Sequence, residues 1–398
     1  MSDGILEMNR HSTFAVLGDV RLYGVSNEKA LDAVVPELRR LGVEAVVVCS
    51  AGGAVRMVPL TDGNVFHSAV GDAFAAGSSS VEIIRFGGSA FVLCNVKEMP
   101  ANGAEILKNA GLQKNERFFY FQRKHPLGTC AGDFVAEQDG GISTRVLSAF
   151  PNAVVFSSGA KAPLTDERSI RQGEFGFTAV QISSFHTPTP FGGRENSLPF
   201  GKTPDTYADD RQMLLVAEIS SHTRPAIIVS VNNESCTLSR VSLSRGKKLG
   251  DDWVLHSNDN KTFDYEARAK KAEIPLFHSS SRLTFSMGRG KTMKGVQEDQ
   301  LTVCFPKASN VRAHDYLVTA YYLKDGIDIV VAERRVYSEG FLGPEDEEPK
   351  QVRCVFAKKE LFQDVRLRFE VRAMNAFGGV SKPLIGHYNV PAGFKWRG

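Results

Sequence analysis

Residues 13–18 (Thr-Phe-Ala-Val-Leu-Gly) form an unbroken apolar run of buried-strand length that closes at Asp19-Val20-Arg21. From Asn27 to Leu41 the pattern changes, with apolar positions Ala30, Leu31, Val34, Val35, Leu38 and Leu41 at helical spacing. Ser26 is placed to cap that helix and Gly42 to end it. Glu44 to Cys49 is a second apolar strand, so the opening predicts a βαβ unit. A loop or helix region over 52–80 precedes a third expected strand, Val81 to Phe86, which ends at Gly87-Gly88-Ser89-Ala90. Further on come a strand over Phe118 to Gln122, a helix near Ile142 to Phe150, and the apolar run Ala153-Val154-Val155-Phe156. That last run turns through Ser157-Ser158-Gly159-Ala160 into Lys161-Ala162-Pro163. A strand ending in a tight turn at the edge of a parallel sheet is where α/β proteins place their chemistry.

Past residue 186 the texture is different. His186 to Pro204 is dense in Pro and Gly and reads as a long connecting loop. Leu214 to Glu218, Ala226 to Val231 and Ser239 to Ser244 then read as short strands, ending near Trp253. Residues 257–300 are polar and rich in Lys, Ser and Gly, the composition of a linker. Beyond them, Leu301 to Phe305, Asp315 to Tyr322, Ile327 to Val336, Val352 to Phe356 and Leu367 to Ala373 recur at hairpin spacing, as a small sandwich requires. The expected organisation is an N-terminal tail (1–11), an α/β domain (12–256), a linker (257–300) and an all-β domain (301–398).

Bulk properties narrow the classes. At 398 residues, 42% hydrophobic and 23% charged, the chain has material for two or three cored domains. A net charge of +3 is too mild to indicate a nucleic-acid partner. The six cysteines are scattered without a C-x-x-C pair, which disfavours a disulfide scaffold or zinc ribbon. No apolar run approaches membrane-spanning length, and the start lacks a signal-peptide core. The expected setting is intracellular, cytoplasmic or cytoskeletal, without a membrane.

The stretch Pro151 to Phe175 carries a resemblance. Its apolar strand, small-residue turn, Pro163-Leu164 and Asp166-Glu167-Arg168-Ser169-Ile170 resemble the last metal-binding block of the calcineurin-like metallophosphoesterases. One branch of that family reads strand, Ser-Gly-His-x-His, then Pro-Leu-x-Asp-Glu-Arg-Ser-Ile. The resemblance implies a four-layer α/β/β/α sandwich. It also implies two divalent ions, such as manganese, held by Asp, Asn and His at five strand ends. The C-terminal stretch Arg368 to Leu384, with Ala373-Met-Asn-Ala-Phe-Gly-Gly-Val-Ser-Lys-Pro, resembles the closing strands of a fibronectin type III domain.

Residue by residue, the implied ligands are mostly replaced. Asp19 stands at its place, but Arg21 occupies the histidine position of Asp-x-His. Ser50-Ala51 stand for Gly-Asp, and Gly88 and Ser89 fall where Asn and His belong. In Arg123-Lys124-His125, one register puts Arg123 on the lone-histidine position and a looser one His125. Ala160 and Ala162 replace both imidazoles of the last block. A dinuclear site needs its ligands first, and surrounding groups do not substitute for them. The expectation is a pseudoenzyme without a cofactor, acting as a structural or interaction subunit among protein partners in a larger assembly. One alternative is a metal-dependent phosphohydrolase with a reduced site around Asp19 and His125. Another is a metal-free phosphate or acidic-ligand module using Arg21, Arg123 and Lys161. A buried Asp19 without ions also calls for a cation, which Arg21 or Lys161 would supply. Gly288-Arg289-Gly290-Lys291-Thr292 looks like the end of a phosphate-binding loop, but Phe285 stands where that motif needs glycine.

Overall fold

The computed structural model describes residues 12–22, 24–61, 65–77, 79–129, 138–159, 163–173, 176–186, 223–259, 261–291, 296–339 and 349–392. The tail 1–11 and the strand expected at Leu214 to Glu218 lie outside them. Among the described residues two compact units separate, one up to His186 and over 223–270, the other from Lys271 onward.

In chain order the first unit contains β1 (Ser12–Val20), α1 (Val25–Ala33), α2 (Val35–Arg40), β2 (Ala45–Ser50), β3 (Val55–Pro59), α3 (Phe66–Ala75), β4 (Val81–Phe86) and β5 (Ser89–Cys94). It continues with α4 (Gly103–Asn109), β6 (Phe118–Gln122), α5 (Ile142–Leu147), β7 (Val154–Ser157), β8 (Ile170–Arg171), β9 (Thr178–Gln181), β10 (Pro225–Val231), β11 (Ser235–Ser242), β12 (Lys247–Lys248) and β13 (Trp253–His256). Helix α6 (Tyr265–Lys271) follows. One sheet runs β12-β11-β10-β1-β2-β3, with β13 also on β11; the other runs β4-β5-β6-β7-β9-β8. β1 and β2 are parallel, as are β5, β6, β7 and β9, while flanking strands pair antiparallel.

Strand alternation explains the layering. Phe14, Val16 and Val47 of the first sheet share one core with Phe91, Phe119, Phe121 and Phe156 of the second. Phe14 meets Phe91 and Phe119 edge-on at 4.8 and 4.9 Å, a geometry the ring quadrupoles favour. The alternate positions Ala15, Leu17, Val46 and Val48 face the other way, onto Leu31, Leu38, Phe66 and Val70 of α1–α3. On the second sheet Val92, Tyr120 and Val155 meet Leu107 of α4 and Leu147 of α5. Strands buried on both faces read as unbroken apolar runs, which is how β1, β2, β6 and β7 stood out in the sequence.

Several expectations change. The helix expected over 27–41 is two, interrupted at Val34, because Pro36 has no N–H to continue the ladder. Gly24, at φ 106°, precedes α1, and Ser26 lies inside the helix rather than capping it. The third strand of the parallel series is β5, not β4. β4 is a half-buried edge strand, and Gly87-Gly88 turn the chain back into the fully buried β5. The stretch 257–300, expected as a linker, carries α6 and a strand.

That strand, β14 (Thr284–Lys291), opens the second unit, followed by β15 (Gln297–Pro306), β16 (Asp315–Lys324), β17 (Ile327–Tyr337), β18 (Gln351–Ala357), β19 (Arg366–Met374) and β20 (Leu384–Asn389). Two antiparallel sheets form, β14-β15-β18 and β17-β16-β19-β20. Leu301, Val303 and Phe356 of the first share a core with Tyr316, Val318, Phe369 and Val371 of the second. β14 is an edge strand of alternating, partly exposed positions, so its composition resembles a linker. The phosphate-loop-like Gly288 to Lys291 lies in its ladder opposite 297–300. Cys49, Cys94, Cys236 and Cys354 are buried free thiols. No described helix is long and apolar enough to cross a membrane.

Candidate functional site

In parallel sheets all carboxyl ends share an edge, and here the two sheets bring their edges together. Gly18, near the end of β1, bridges Ser184 just past β9, and Phe185 N donates to Gly18 O at 2.8 Å. A Cβ on Gly18 would stand 2.5 Å from the Ser183 carbonyl oxygen, so only glycine permits this approach. The next residue, Asp19, is 6% exposed and takes a left-handed backbone, φ 50°. Such strain in a non-glycine residue costs on the order of 1 kcal/mol and collects at functional edges. Ser184 Oγ donates to Asp19 Oδ2 at 3.0 Å.

The neighbouring strand ends are tied to each other. Ala51 N donates to Val20 O at 3.0 Å, and Arg123 Nη1 donates to Ala51 O. Gly159 N donates to Arg123 O at 2.7 Å. Ser50 Oγ accepts from Ala54 N at 3.1 Å and so closes its own turn. Burial pushes the Cys49 thiol up to about 12, with a hydrogen bond to Ser158 opposing it. The structure therefore gathers Asp19, Ser50, Ala51 and Arg123 at one edge.

Other expected positions fall elsewhere. Ser89 starts β5, in register with the beginning of β6, so Gly88 and Ser89 occupy the opposite end of the sheet. Taking β4 as the third strand caused that misplacement. The residue at the correct strand end is Asn95, whose Oδ1 accepts from Val55 N at 3.0 Å and from Arg56 Nη1. The continuous run Ala90 to Cys94 was the signal that would have found it. Ala160, Lys161 and Ala162 lie outside the described residues.

His125 is fully buried, its Nδ1 2.6 Å from Ser157 Oγ. Phe156 faces the core between the sheets, so Ser157 and the imidazole on it face the helix side. Burial lowers His125 to about 3, with nearby Asp139 opposing, and the ring is neutral. Asp19 engages Ser184 and His125 engages Ser157, and no described contact joins the two. Among the described residues, no three His, Cys, Asp or Glu side chains are grouped to hold a metal ion.

Arg21 makes no ion pair with Asp19, and Lys161, the other cation expected to neutralise it, lies outside the described residues. Arg21 is exposed and lies instead by His186, the first residue of the stretch expected as a connecting loop. His186 is 6% exposed, and Arg224 Nη1 lies 3.3 Å from its Nδ1. Burial first, then the Arg224 and Arg21 guanidiniums, lower His186 to about 4, with a hydrogen bond to the Arg21 backbone opposing them.

The segment Asp166 to Ile170 is structural. Asp166 accepts from Arg168 N at 2.9 Å, capping a one-turn 3-10 helix, and pairs with the fully buried Arg168 guanidinium at 2.7 Å. Glu167 meets Arg240 at 2.7 Å and Arg268 at 3.1 Å. Arg240, itself fully buried, lies over the Trp253 ring at 4.3 Å and donates to Leu164 O. This clamp fastens the segment to β11 and α6. Comparison with protein-family models and with curated proteins finds no match.

Proposed function

We propose that this chain is a non-catalytic, metallophosphoesterase-like protein serving as a structural or interaction subunit of a larger assembly. One observation carries the reading. At the edge where the family resemblance puts a two-metal centre, the described polar groups hydrogen-bond one another, Ser184 to Asp19 and Arg123 to the Ala51 carbonyl oxygen. A hydrolytic metal centre needs convergent anionic or imidazole donors with an open coordination position. An edge closed by hydrogen bonds and lined by serine, alanine and arginine holds strands together instead. Two facing sheets with helices outside, and the 3+4 strand sandwich, support the two-domain likeness from which the reading starts. Both sandwich and edge then supply rigid surfaces for protein partners.

The test is metal content together with hydrolysis of an aryl phosphate after loading with Mn²⁺. The expected result is no stoichiometric metal and no turnover above an Asp19→Ala control. One or two bound ions per chain, with turnover abolished by Asp19→Ala, would overturn the proposal.

A further inference from the structure

We propose that the outer face of the four-stranded sheet in the second unit holds a docking groove for the acidic stretch 341–348 of a second copy of this chain. The groove measures about 720 Å³ and is lined by Tyr322, Leu323 and Val365 together with Asp328, Arg366, Arg368 and His387. Leu367 and Phe369 point into the core, so Arg366 and Arg368 point out, and His387 stands opposite Arg368 on β20. Leu323 is 61% exposed and belongs to the hairpin that also exposes Ile327 and Val330, at 67% and 56%. Apolar side chains gathered on a surface in this way mark an interaction site.

The charges in the groove define what fits it. Asp328 is taken up by Arg368 at 2.6 Å, and Arg368 also meets Glu370 at 3.3 Å while lying over the Tyr321 ring. Asp364, next to Val365, accepts from Ala392 N, and in the adjoining turn Lys324 and Asp325 carry opposite charges. Arg366 and His387, both exposed, have no hydrogen-bond or ion-pair partner among the described residues. The groove therefore offers a free guanidinium beside apolar side chains and suits a segment with both apolar and carboxylate groups. The chain carries such a segment, Phe341-Leu342 followed by Glu345-Asp346-Glu347-Glu348. Its own copy cannot deliver it. Ser338 N donates to His314 O and Lys307 N to Lys350 O, so both flanks of the stretch are held where β16 starts and β15 ends. The groove lies at the other end of β17, about 33 Å away along an 11-residue strand. Residues 340–348, going out and returning, reach about 16 Å at most.

This inference rests on the reading of the chain as a structural subunit and makes a second copy its partner; contacts between unlike surfaces build rings or filaments. Sedimentation velocity over a dilution series of the full chain tests it. The variants are Arg366→Glu, the double variant Glu345→Lys with Glu347→Lys, and Lys108→Glu on α4 of the first unit as a charge-reversal control. Arg366 is exposed and unpartnered, so its variant keeps the fold. The wild type and Lys108→Glu should associate as concentration rises, and more weakly as salt is raised. Association should weaken by about tenfold or more in Arg366→Glu and in the double variant. An equimolar mixture of those two should recover association, because the acidic stretch of one meets the intact groove of the other. A wild type that stays monomeric across the series, or equal weakening in the control, overturns the site. Association lost in Arg366→Glu but kept in the double variant would put another segment in the groove and overturn the assigned occupant. Hydrolysis of an aryl phosphate, measured on the same protein, decides the non-catalytic reading separately. A monomeric wild type without turnover sinks the docking groove alone.

Discussion

At the scale of single residues, this chain settles its buried polar groups in two ways. Arginines are paired or stacked, as Arg168 is on Asp166 and Arg240 on Glu167 and Trp253. Two buried histidines, His125 and His186, are kept neutral. His125 is the clearest case, lowered from the ordinary imidazole range to about 3 by burial. Unfolded, it takes up a proton near pH 6.5, so protons favour the unfolded chain. The stability this supplies is complete above about pH 6.5 and is lost as pH falls through the window toward 3. At pH 5, some 1.5 pH units below the unfolded value, the loss is about 2 kcal/mol. Urea unfolding at pH 7.5 and pH 5 should show a drop that is smaller by about that amount in His125→Gln. An equal drop in both proteins would assign the acid sensitivity to other groups.

At the scale of elements, the junction of β1 with the segment after β9 sets how closely the two sheets meet. Gly18→Ala places a methyl 2.5 Å from the Ser183 carbonyl oxygen and 2.7 Å from Ile182 Cγ2, and neither is the flexible end of a long side chain. The expected cost is about 1–3 kcal/mol in urea unfolding. Gly71→Ala inside α3, with nothing within 4 Å, should instead stabilise by up to about 1 kcal/mol. Comparable effects at the two positions would mean that contact at Gly18 is not what limits the approach.

The elements most legible in the sequence were those buried on both faces. β6 was read at its true ends, and β1, β2 and β7 within about two residues, because an unbroken apolar run has little alternative. β4 misled because Ile83 and Ile84 look like core although the strand sits at an edge, half-buried. Choosing it displaced one strand end, sent Gly88 and Ser89 to the wrong side of the sheet, and hid Asn95. β14 was missed for the opposite reason, since its exposed half diluted the apolar signal. Of the candidate edge, Asp19, Ser50, Ala51 and Arg123 were readable from strand ends. Arg224 and His186 were not, since only the antiparallel return of β10 and the crossing at Gly18 bring them near.

For the molecule as a whole, the described residues partition into two compact units with separate apolar cores. The buried thiols are divided between them: Cys49, Cys94 and Cys236 in the first, Cys354 in the second. Burial raises Cys49 and Cys236 to about 12, so neither offers a thiolate to a reagent near neutral pH while folded. Alkylation therefore reports opening of the surrounding structure rather than intrinsic reactivity. In a Cys130→Ser chain pulsed with iodoacetamide at increasing urea, peptide mass spectrometry should find Cys49, Cys94 and Cys236 losing protection together. Cys354 should follow its own curve. One shared curve for all four would mean that the two units melt as a single cooperative block. The chain thus carries a native set of clocks, one group per unit, by which the order of its unfolding can be timed without an added label.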